Sequence, residues 1–166
     1  MKSVGDSKVE GYTPGVIGEI TYIHGVYYHQ NWGFDISFET QVAKELSDFM
    51  IEYQLGRDGL WVARMTREFA GSIVIDGRNA ELLGLRVRWF IVPPAYQGAG
   101  IGRMLLGKAV NFCRESGYKK VYLWTFQGLR AARKLYLDKG FQLKEEHQVN
   151  QWGRNINEQM YELIIS

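Results

Sequence analysis

The sequence predicts an α/β fold in which helices flank a mixed β-sheet. Three observations predict it: apolar residues at helical spacing early in the chain, short alternating runs after Leu60, and a strand, helix, strand, helix, strand order in the second half. A length of 166 residues allows one sizeable core and is short for two ordinary domains. We therefore expect a single domain over residues 1–166.

Composition and charge exclude several classes of protein. The 20 basic and 18 acidic residues are spread along the chain, so no nucleic-acid-binding tail is expected. No apolar stretch reaches the roughly 18 residues of a membrane span, and Met1 to Val9 lacks the apolar core of a signal peptide. The lone cysteine, Cys113, lies in an apolar helical pattern and is interpreted as a small buried hydrophobe. We expect a cytoplasmic protein without nucleic-acid or membrane partners.

The first third of the chain predicts two helices. One spans about Val16 to Gln30 and ends at Trp32-Gly33. The second begins near Asp35 or Ser37, and its apolar residues recur at three and four positions. This buried face comprises Phe38, Val42, Leu46, Phe49 and Met50.

Short strands are predicted for the middle of the chain. Leu60 to Met65 and Glu68 to Ile75 form two of them, and Asp76-Gly77 is interpreted as a hairpin turn. A longer strand, Glu81 to Val92, ends at Pro93-Pro94. Because side chains alternate along a strand, we expect one face of it to be buried. That face holds Leu85, Val87, Trp89 and Ile91, and the other holds Arg86, Arg88 and Phe90.

Helices and strands alternate in the last third of the chain. A helix is predicted over Gly100 to Ser116, a strand over Val121 to Thr125 and a helix over Leu129 to Asp138. A glycine follows each helix closely and favours its end there. The remaining residues are predicted to form two strands around a loop at Trp152-Gly153.

A glycine-rich turn joins the long strand to the helix that follows. It contains Gly98, Gly100 and Gly102. Such a turn lets backbone N–H groups converge on an anion, and the positive end of the helix favours negative charge, so a diphosphate is the expected ligand. A triphosphate-binding loop is excluded, because Arg103 stands where that loop needs Lys-Ser or Lys-Thr, and the dinucleotide-binding glycine spacing matches poorly. A turn without a ligand remains the alternative.

Together with a second motif, this turn resembles the GNAT N-acetyltransferases. The family's first motif, Val-x-Pro-x-x-(Gln/Arg)-Gly-x-Gly-x-Gly, is matched from Val92 to Gly102. The second, Ala-x-x-x-Tyr-x-x-x-Gly-Phe, is matched by Ala132, Tyr136 and Gly140-Phe141. The resemblance implies the GNAT fold: a mixed, mostly antiparallel central sheet, splayed at the acetyl-CoA site and flanked by helices.

A wider match resembles the acetyltransferase half of bacterial proteins that join a MarR-type winged helix to a GNAT domain. It includes His24 to Tyr28, Trp32 to Asp35, Phe38-Glu39 and Leu123 to Thr125. The winged helix itself has no counterpart in this sequence, so direct DNA binding is not expected.

The resemblance implies acetyl-CoA as co-substrate and a set of residues around it. Many family members carry an asparagine seven residues before the tyrosine; Leu129 stands there, and Gln127 is either its replacement or a plain loop residue. The implied cofactor-binding residues are Phe90, Ile91, Val92, Gln97, Gly98, Ala99, Gly100, Ile101, Gly102, Arg103, Gln127 and Tyr136.

The resemblance also implies a reaction, in which a neutral amine attacks the thioester directly in a ternary complex. Tyr136 is the expected proton donor to the departing thiolate, with an ordinary core tyrosine as the alternative. No carboxylate lies between Leu85 and Val92, so we expect the base in the N-terminal helices, Glu39 first and His24 second. Either could instead be structural: Glu39 as a first-turn helix charge, His24 as a hydrogen-bonded helix residue.

Two arginines occupy the strand position where related enzymes often place a glutamate. Arg86 and Arg88 could attract an acidic group of the substrate, or could be solvated or salt-bridged strand residues. His24 and His29 are five residues apart rather than four, and no cysteine pair accompanies them, so no metal site is predicted.

Three functions remain open at this stage. The first is acetyl transfer from acetyl-CoA to a primary amine of a small molecule or protein. The second is a non-catalytic acyl-CoA-binding sensor, and the third is an interaction domain related to a transcription-regulator fusion. The sequence leaves open the identity of the acceptor and whether the chain forms a homodimer.

Overall fold

The structure, a computed structural model, describes residues 3–165; Met1, Lys2 and Ser166 of the expected domain lie outside the described residues. The strands in this range are β1 (Ser7–Glu10), β2 (Gly59–Met65), β3 (Glu68–Asp76), β4 (Leu85–Ile91), β5 (Lys120–Phe126), β6 (Gln142–Gln151) and β7 (Arg154–Ile164). The helices are α1 (Val16–Trp32), α2 (Ile36–Ile51), α3 (Ala80–Leu83), α4 (Ile101–Glu115) and α5 (Arg130–Lys139), with short 3-10 turns at Val4–Asp6 and Pro94–Tyr96.

The strands form one sheet that opens near its centre. Their order is β1-β2-β3-β4-β5-β7-β6, and every neighbouring pair is antiparallel except β4 and β5. This parallel pair is in register only from Leu85–Val87 to Val121–Leu123. Beyond that point β4 and β5 separate, while β5 continues to pair with β7 as far as Phe126. The expected mixed, mostly antiparallel sheet with a central splay is confirmed.

Helices cover both faces of the sheet and enclose two cores. On one face α4 and α5 pack around Leu105, Tyr136 and Tyr161. On the other, α1 and α2 bury residues such as Ile20 and Leu46 against β2, β3 and β4. In the described part of the chain, no helix combines the length and apolar character that crossing a membrane requires.

The connection between β3 and β4 differs from the predicted one. Asp76-Gly77 is not a hairpin turn, and the strand does not begin at Glu81, because α3 lies between β3 and β4. Its Ala-Glu-Leu-Leu sequence consists of strong helix formers, and Gly84 ends it with φ +90° and ψ 179°, a conformation that glycine adopts without strain. Tight two-residue turns occur instead at Thr66-Arg67 and, as predicted, at Trp152-Gly153, where all four residues have positive φ.

The N-terminal lead also forms a strand that the sequence does not predict. Ser7–Glu10 pairs with β2 at the edge of the sheet. Arg64 of β2 binds it there, with ion pairs of 2.9 Å to Glu10 and 2.6 Å to Glu19 of α1. A four-residue edge strand is too short to show the apolar alternation by which strands are recognised in sequence.

A β-bulge changes which face of β4 is buried. Leu85 and Val87 pack on the α4–α5 side, but Trp89 and Ile91 belong to the core beneath α1 and α2. Trp89 has a φ of +43°, and β4 gains one residue relative to β3 at this point. Burial alternates along the strand as predicted. The expectation that these four residues share one face is wrong, because the extra residue at the bulge reverses the faces to which the following side chains point.

Candidate functional site

A cleft of about 770 Å³ opens where β4 and β5 separate. Its walls include residues of α1 and α2 on one side and of α4 and α5 on the other. The β6–β7 hairpin reaches it through Trp152, whose Nε1–H donates to Gln41 Oε1 of α2 at 2.9 Å. The splay of the sheet therefore produces a channel bordered by both strands and by elements from either face.

The glycine-rich turn lies at one end of this cleft. Gly98 and Gly100 have φ values of +82° and +90°, the left-handed region that glycine tolerates best. Gly100 is the N-cap residue of α4, and no side chain caps this helix terminus. A Cβ on Gly102 would lie 3.0 Å from Leu135 Cδ1, so glycine permits the close approach of α4 to α5. The first N–H groups of α4 are thus available to an anion in the cleft.

Basic side chains also line the cleft, and one of them, Arg103, directly follows the glycine turn. Arg103, Arg130 and Lys134 all line it. Arg103 and Lys134 each contact Asp138 at 2.9 Å, and both remain largely exposed. The positive charge of Arg103 and Lys134, together with the helix terminus, makes the glycine-turn end of the cleft suited to phosphate groups.

Most of the predicted cofactor-binding residues line the cleft. The exceptions are Ala99 and Gln127, neither of which borders it. Gln127 Oε1 accepts a hydrogen bond of 3.0 Å from Asn157 Nδ2 of β7, while Leu129 lies in the wall. The residues brought together are Phe90, Ile91, Val92, Gln97, Gly98, Gly100, Ile101, Gly102, Arg103 and Tyr136.

Tyr136 sits in the wall of the cleft with its ring buried. Its ring centroid lies 6.1 Å from that of Phe90 and 5.9 Å from those of Phe141 and Tyr161. Burial raises the pKa of its hydroxyl well above the ordinary value of 10, with smaller contributions from Tyr28 and Tyr161. Tyr136 therefore keeps its proton at neutral pH, as a proton donor must.

The two candidate bases occupy different places. His24 lines the cleft, and its Nδ1–H donates to the carbonyl of Ile20 at 2.8 Å, which leaves Nε2 as an acceptor. Burial lowers the pKa of His24 to about 4, and the hydrogen bond to the Ile20 carbonyl, which raises the pKa, offsets only part of this effect. Glu39 is exposed outside the cleft and lies against Gly25 of α1, where a Cβ would be 2.5 Å from its Oε1. The structure brings His24, and not Glu39, into the cleft with Tyr136.

Two carboxylates in the cleft are not found by the sequence reasoning. Glu45 of α2 contacts Arg88 at 2.9 Å, and Glu158 of β7 lies 3.4 Å from His147 Nε2. The helical spacing places Glu45 off the apolar face, one turn after Gln41, which also lines the cleft. Glu158 comes from a strand remote in sequence from either motif, so only the sheet order brings it to the site.

Metal binding has no geometric basis in this cleft. Within residues 3–165, no three or more His, Cys, Asp and Glu side chains lie close enough together to hold a metal ion. Cys113 is fully buried within α4, away from the cleft, and burial raises its pKa to about 12.

Comparison with protein families gives one match, which covers most of the chain. Residues 23–141 match the acetyltransferase (GNAT) family. None of the curated proteins matches the sequence.

Solved structures share the fold at low sequence identity. Similar ones are yncA from Salmonella typhimurium with its cofactor acetyl-CoA (TM-score 0.71, 16% identity, 97% of this chain and 95% of that chain covered) and spermidine N-acetyltransferase from Vibrio cholerae in complex with CoA and spermine (TM-score 0.71, 16% identity, 96% of each chain). Another is the ribosomal-protein-alanine N-acetyltransferase from Brucella melitensis (TM-score 0.73, 15% identity, 95% and 99%). At such identities the likeness establishes the fold alone.

Proposed function

This chain belongs to the GNAT acetyltransferase family, and we propose that it transfers the acetyl group of acetyl-CoA to a primary amine of a small molecule or protein. One observation carries the proposal: β4 and β5 separate beside a helix terminus that no side chain caps. The cleft between them is lined by residues of both strands. Basic side chains lie near the glycine turn, at the end where we expect phosphate to bind. Relatives of the same fold include a structure with acetyl-CoA and one with CoA and spermine.

The residues that line the cleft suggest one direction for bound CoA. The diphosphate would lie on the amides from Gln97 to Arg103, where a Cβ at Gly98 or Gly100 would need a strained backbone. The pantetheine would pass beside Phe90 to Val92, on the edge of β4 that β5 has left. In this direction the thioester would lie near the middle of the cleft, between the glycine turn and the polar residues of α1 and α2.

The residues of the cleft supply two of the functions that acetyl transfer needs. Tyr136 donates its proton to the sulfur as the C–S bond breaks, and burial keeps that proton in place until then. A backbone N–H near Phe90 to Val92 stabilises the negative charge that develops on the acetyl oxygen. The new N–C bond forms as the neutral amine, held close to the acetyl carbon, attacks it.

The proton of the amine needs an acceptor, and three side chains are candidates. His24 borders the cleft with a free Nε2, but a pKa of about 4 makes it a weak base. Glu39 lies outside the cleft and would act through water. Glu158 is half-buried in the cleft itself, and we add it to the two that the sequence suggests.

An acyl-CoA sensor without turnover is the second candidate function. It is favoured by Leu129 in the cleft wall, where many family members carry asparagine, and by the lack of a carboxylate in β4. Mass spectrometry of amines incubated with acetyl-CoA separates the two functions. An acetylated amine supports the transferase, whereas CoA binding without any acetylated product supports the sensor.

Several finer expectations stay predictions. They are the single domain over residues 1–166, the cytoplasmic setting, the homodimer and the resemblance to the acetyltransferase half of MarR-GNAT fusions. Size-exclusion chromatography with light scattering tests the homodimer directly.

A further inference from the structure

Two arginines two residues apart on β4 have opposite surroundings. Arg88 is nearly buried and forms ion pairs with Glu45 at 2.9 Å and with Asp76 at 3.4 Å. The side chain of Arg86 forms no ion pair within 4.0 Å and no hydrogen bond with any residue in the range 3–165. Its Nε is sealed from solvent without a partner. Burying a guanidinium without a partner costs free energy, and binding of an anion would offset that cost.

Arg86 faces the cleft rather than the bulk solvent. It borders the same channel as Arg88, Glu45 and Trp124, which belong to β4, α2 and β5. Arg86 lies near the start of β4, six residues before Val92, which corresponds to about 20 Å along a strand. The glycine turn and Arg86 therefore lie at opposite ends of the cleft, and Arg86 is on the acceptor side.

We propose that the acceptor amine also carries a carboxylate, and that Arg86 binds that carboxylate in the cleft. This inference rests on the acetyltransferase function proposed above. A guanidinium presents a planar pair of N–H donors that matches the two oxygens of a carboxylate. Because Nε is sealed from solvent, the two terminal Nη groups, which form no hydrogen bond within residues 3–165, are the donors that a carboxylate in the cleft would meet.

The charged neighbours of Arg86 do not satisfy it. Asp76, its register partner on β3, lies 2.7 Å from Arg78 and 3.4 Å from Arg88, so its oxygens are already engaged. Glu45 is engaged by Arg88. Burial, followed by repulsion from Arg88, lowers the pKa of Arg86. An anion from the substrate would offset both effects.

The other polar groups of the acceptor side fit an amine that carries a carboxylate. Glu158 offers negative charge to the substrate's ammonium group before it loses its proton, while Arg86 receives the carboxylate. A polyamine would instead place a second positive charge against Arg86. The acceptor class we infer is therefore an amino acid or a similar amino-carboxylate.

Matched acceptors test this inference. Each of the twenty protein L-amino acids is compared with its amide, and spermidine serves as a polycationic amine, with acetyl-CoA as donor. Product is identified by mass spectrometry and kcat/KM is measured for wild type, Arg86→Gln and Arg114→Gln. Arg114 is an exposed residue near the end of α4 outside the cleft, so its variant removes an equal charge elsewhere. CoA affinity and thermal unfolding are measured in parallel.

We expect wild type and Arg114→Gln to acetylate at least one amino acid at least tenfold more efficiently than its amide. Arg86→Gln should lower kcat/KM for that amino acid at least tenfold, leave the amide within about twofold and leave CoA affinity unchanged. The inference is overturned if Arg86→Gln keeps the preference for the amino acid over its amide. It is also overturned if wild type acetylates only amides or spermidine, or binds CoA but acetylates no amino acid. Failure to bind CoA, with no product from any amine, overturns the proposed function itself.

Discussion

Arg88 Nη2 donates to Glu45 Oε1 at 2.9 Å and thereby ties β4 to α2 across the acceptor side of the cleft. The guanidinium also stacks over the ring of Trp89, with its carbon 4.2 Å from the ring centroid. Arg88 thus has a structural role, while Arg86 on the same stretch of strand makes no such contacts.

This difference predicts opposite effects on stability. Arg88→Gln should lower the free energy of unfolding by about 1–2 kcal/mol, a fall of roughly 2–8 °C in Tm, because a nearly buried ion pair and a cation–π contact are lost. Arg86→Met should leave Tm unchanged or raise it, since it removes a buried N–H without a partner. Thermal unfolding of both variants without substrate is the measurement. A large destabilisation by Arg86→Met would assign that residue to the fold.

Tyr136→Phe should lower kcat by roughly 10²-fold while CoA affinity is retained, because the ring and its packing stay but the proton is lost. Tyr161→Phe is the matched control: its ring lies 5.9 Å from that of Tyr136, and its hydroxyl donates to Gln159 at 3.3 Å. That control should lose some stability but keep its kcat. Equal kcat values for both variants, under conditions where chemistry limits the rate, would make Tyr136 a structural residue.

Substitution of the three candidate residues identifies the base. If Glu158 accepts the amine proton, Glu158→Gln lowers kcat/KM at least tenfold at neutral pH. Glu39→Gln and His24→Gln are measured with the same acceptor, and a loss confined to either one places the base in the N-terminal helices. No change in any of the three would mean that the proton leaves to water.

His24 predicts a pH dependence of stability. Its pKa is about 4 in the folded protein and near 6.5 when unfolded, so only the unfolded state binds a proton between these values. The free energy of unfolding should therefore decrease as pH falls from about 6.5 to about 4, and this residue accounts for at most about 3 kcal/mol of the decrease. Above pH 7, His24 should contribute no pH dependence to stability. Denaturant unfolding of wild type and His24→Gln across this range isolates the contribution. Parallel curves for the two proteins would contradict the lowered pKa.

Local sequence patterns predict much of this fold and most of the residues at the glycine-turn end of the cleft, but not the carboxylates that line it. The glycine turn is a feature of consecutive residues, so the strand, turn and helix around Gly100 could be found without the structure. The bulge at Trp89 could not, because it depends on the pairing of β4 with β3. Glu158 lies in the cleft because β7 is the neighbour of β5 in the sheet, which local patterns do not show. Glu39 lies outside the cleft because its side chain packs against Gly25 of α1. Helical spacing places residues on faces but does not say what each face meets.

The most direct test of the acetyltransferase site is a comparison of Gly100→Asp with Gly117→Asp. Both glycines have left-handed φ, +90° and +85°, and both have room for a Cβ, so each variant gains a similar backbone strain and the same charge. Only Gly100 lies in the cleft. Acetylated amine formed from acetyl-CoA is quantified by mass spectrometry, and CoA affinity by calorimetry. We predict acetylated product from wild type and Gly117→Asp, and at least a tenfold loss of CoA affinity and of product in Gly100→Asp. Equal CoA affinity in the two folded variants would show that CoA does not bind at this turn.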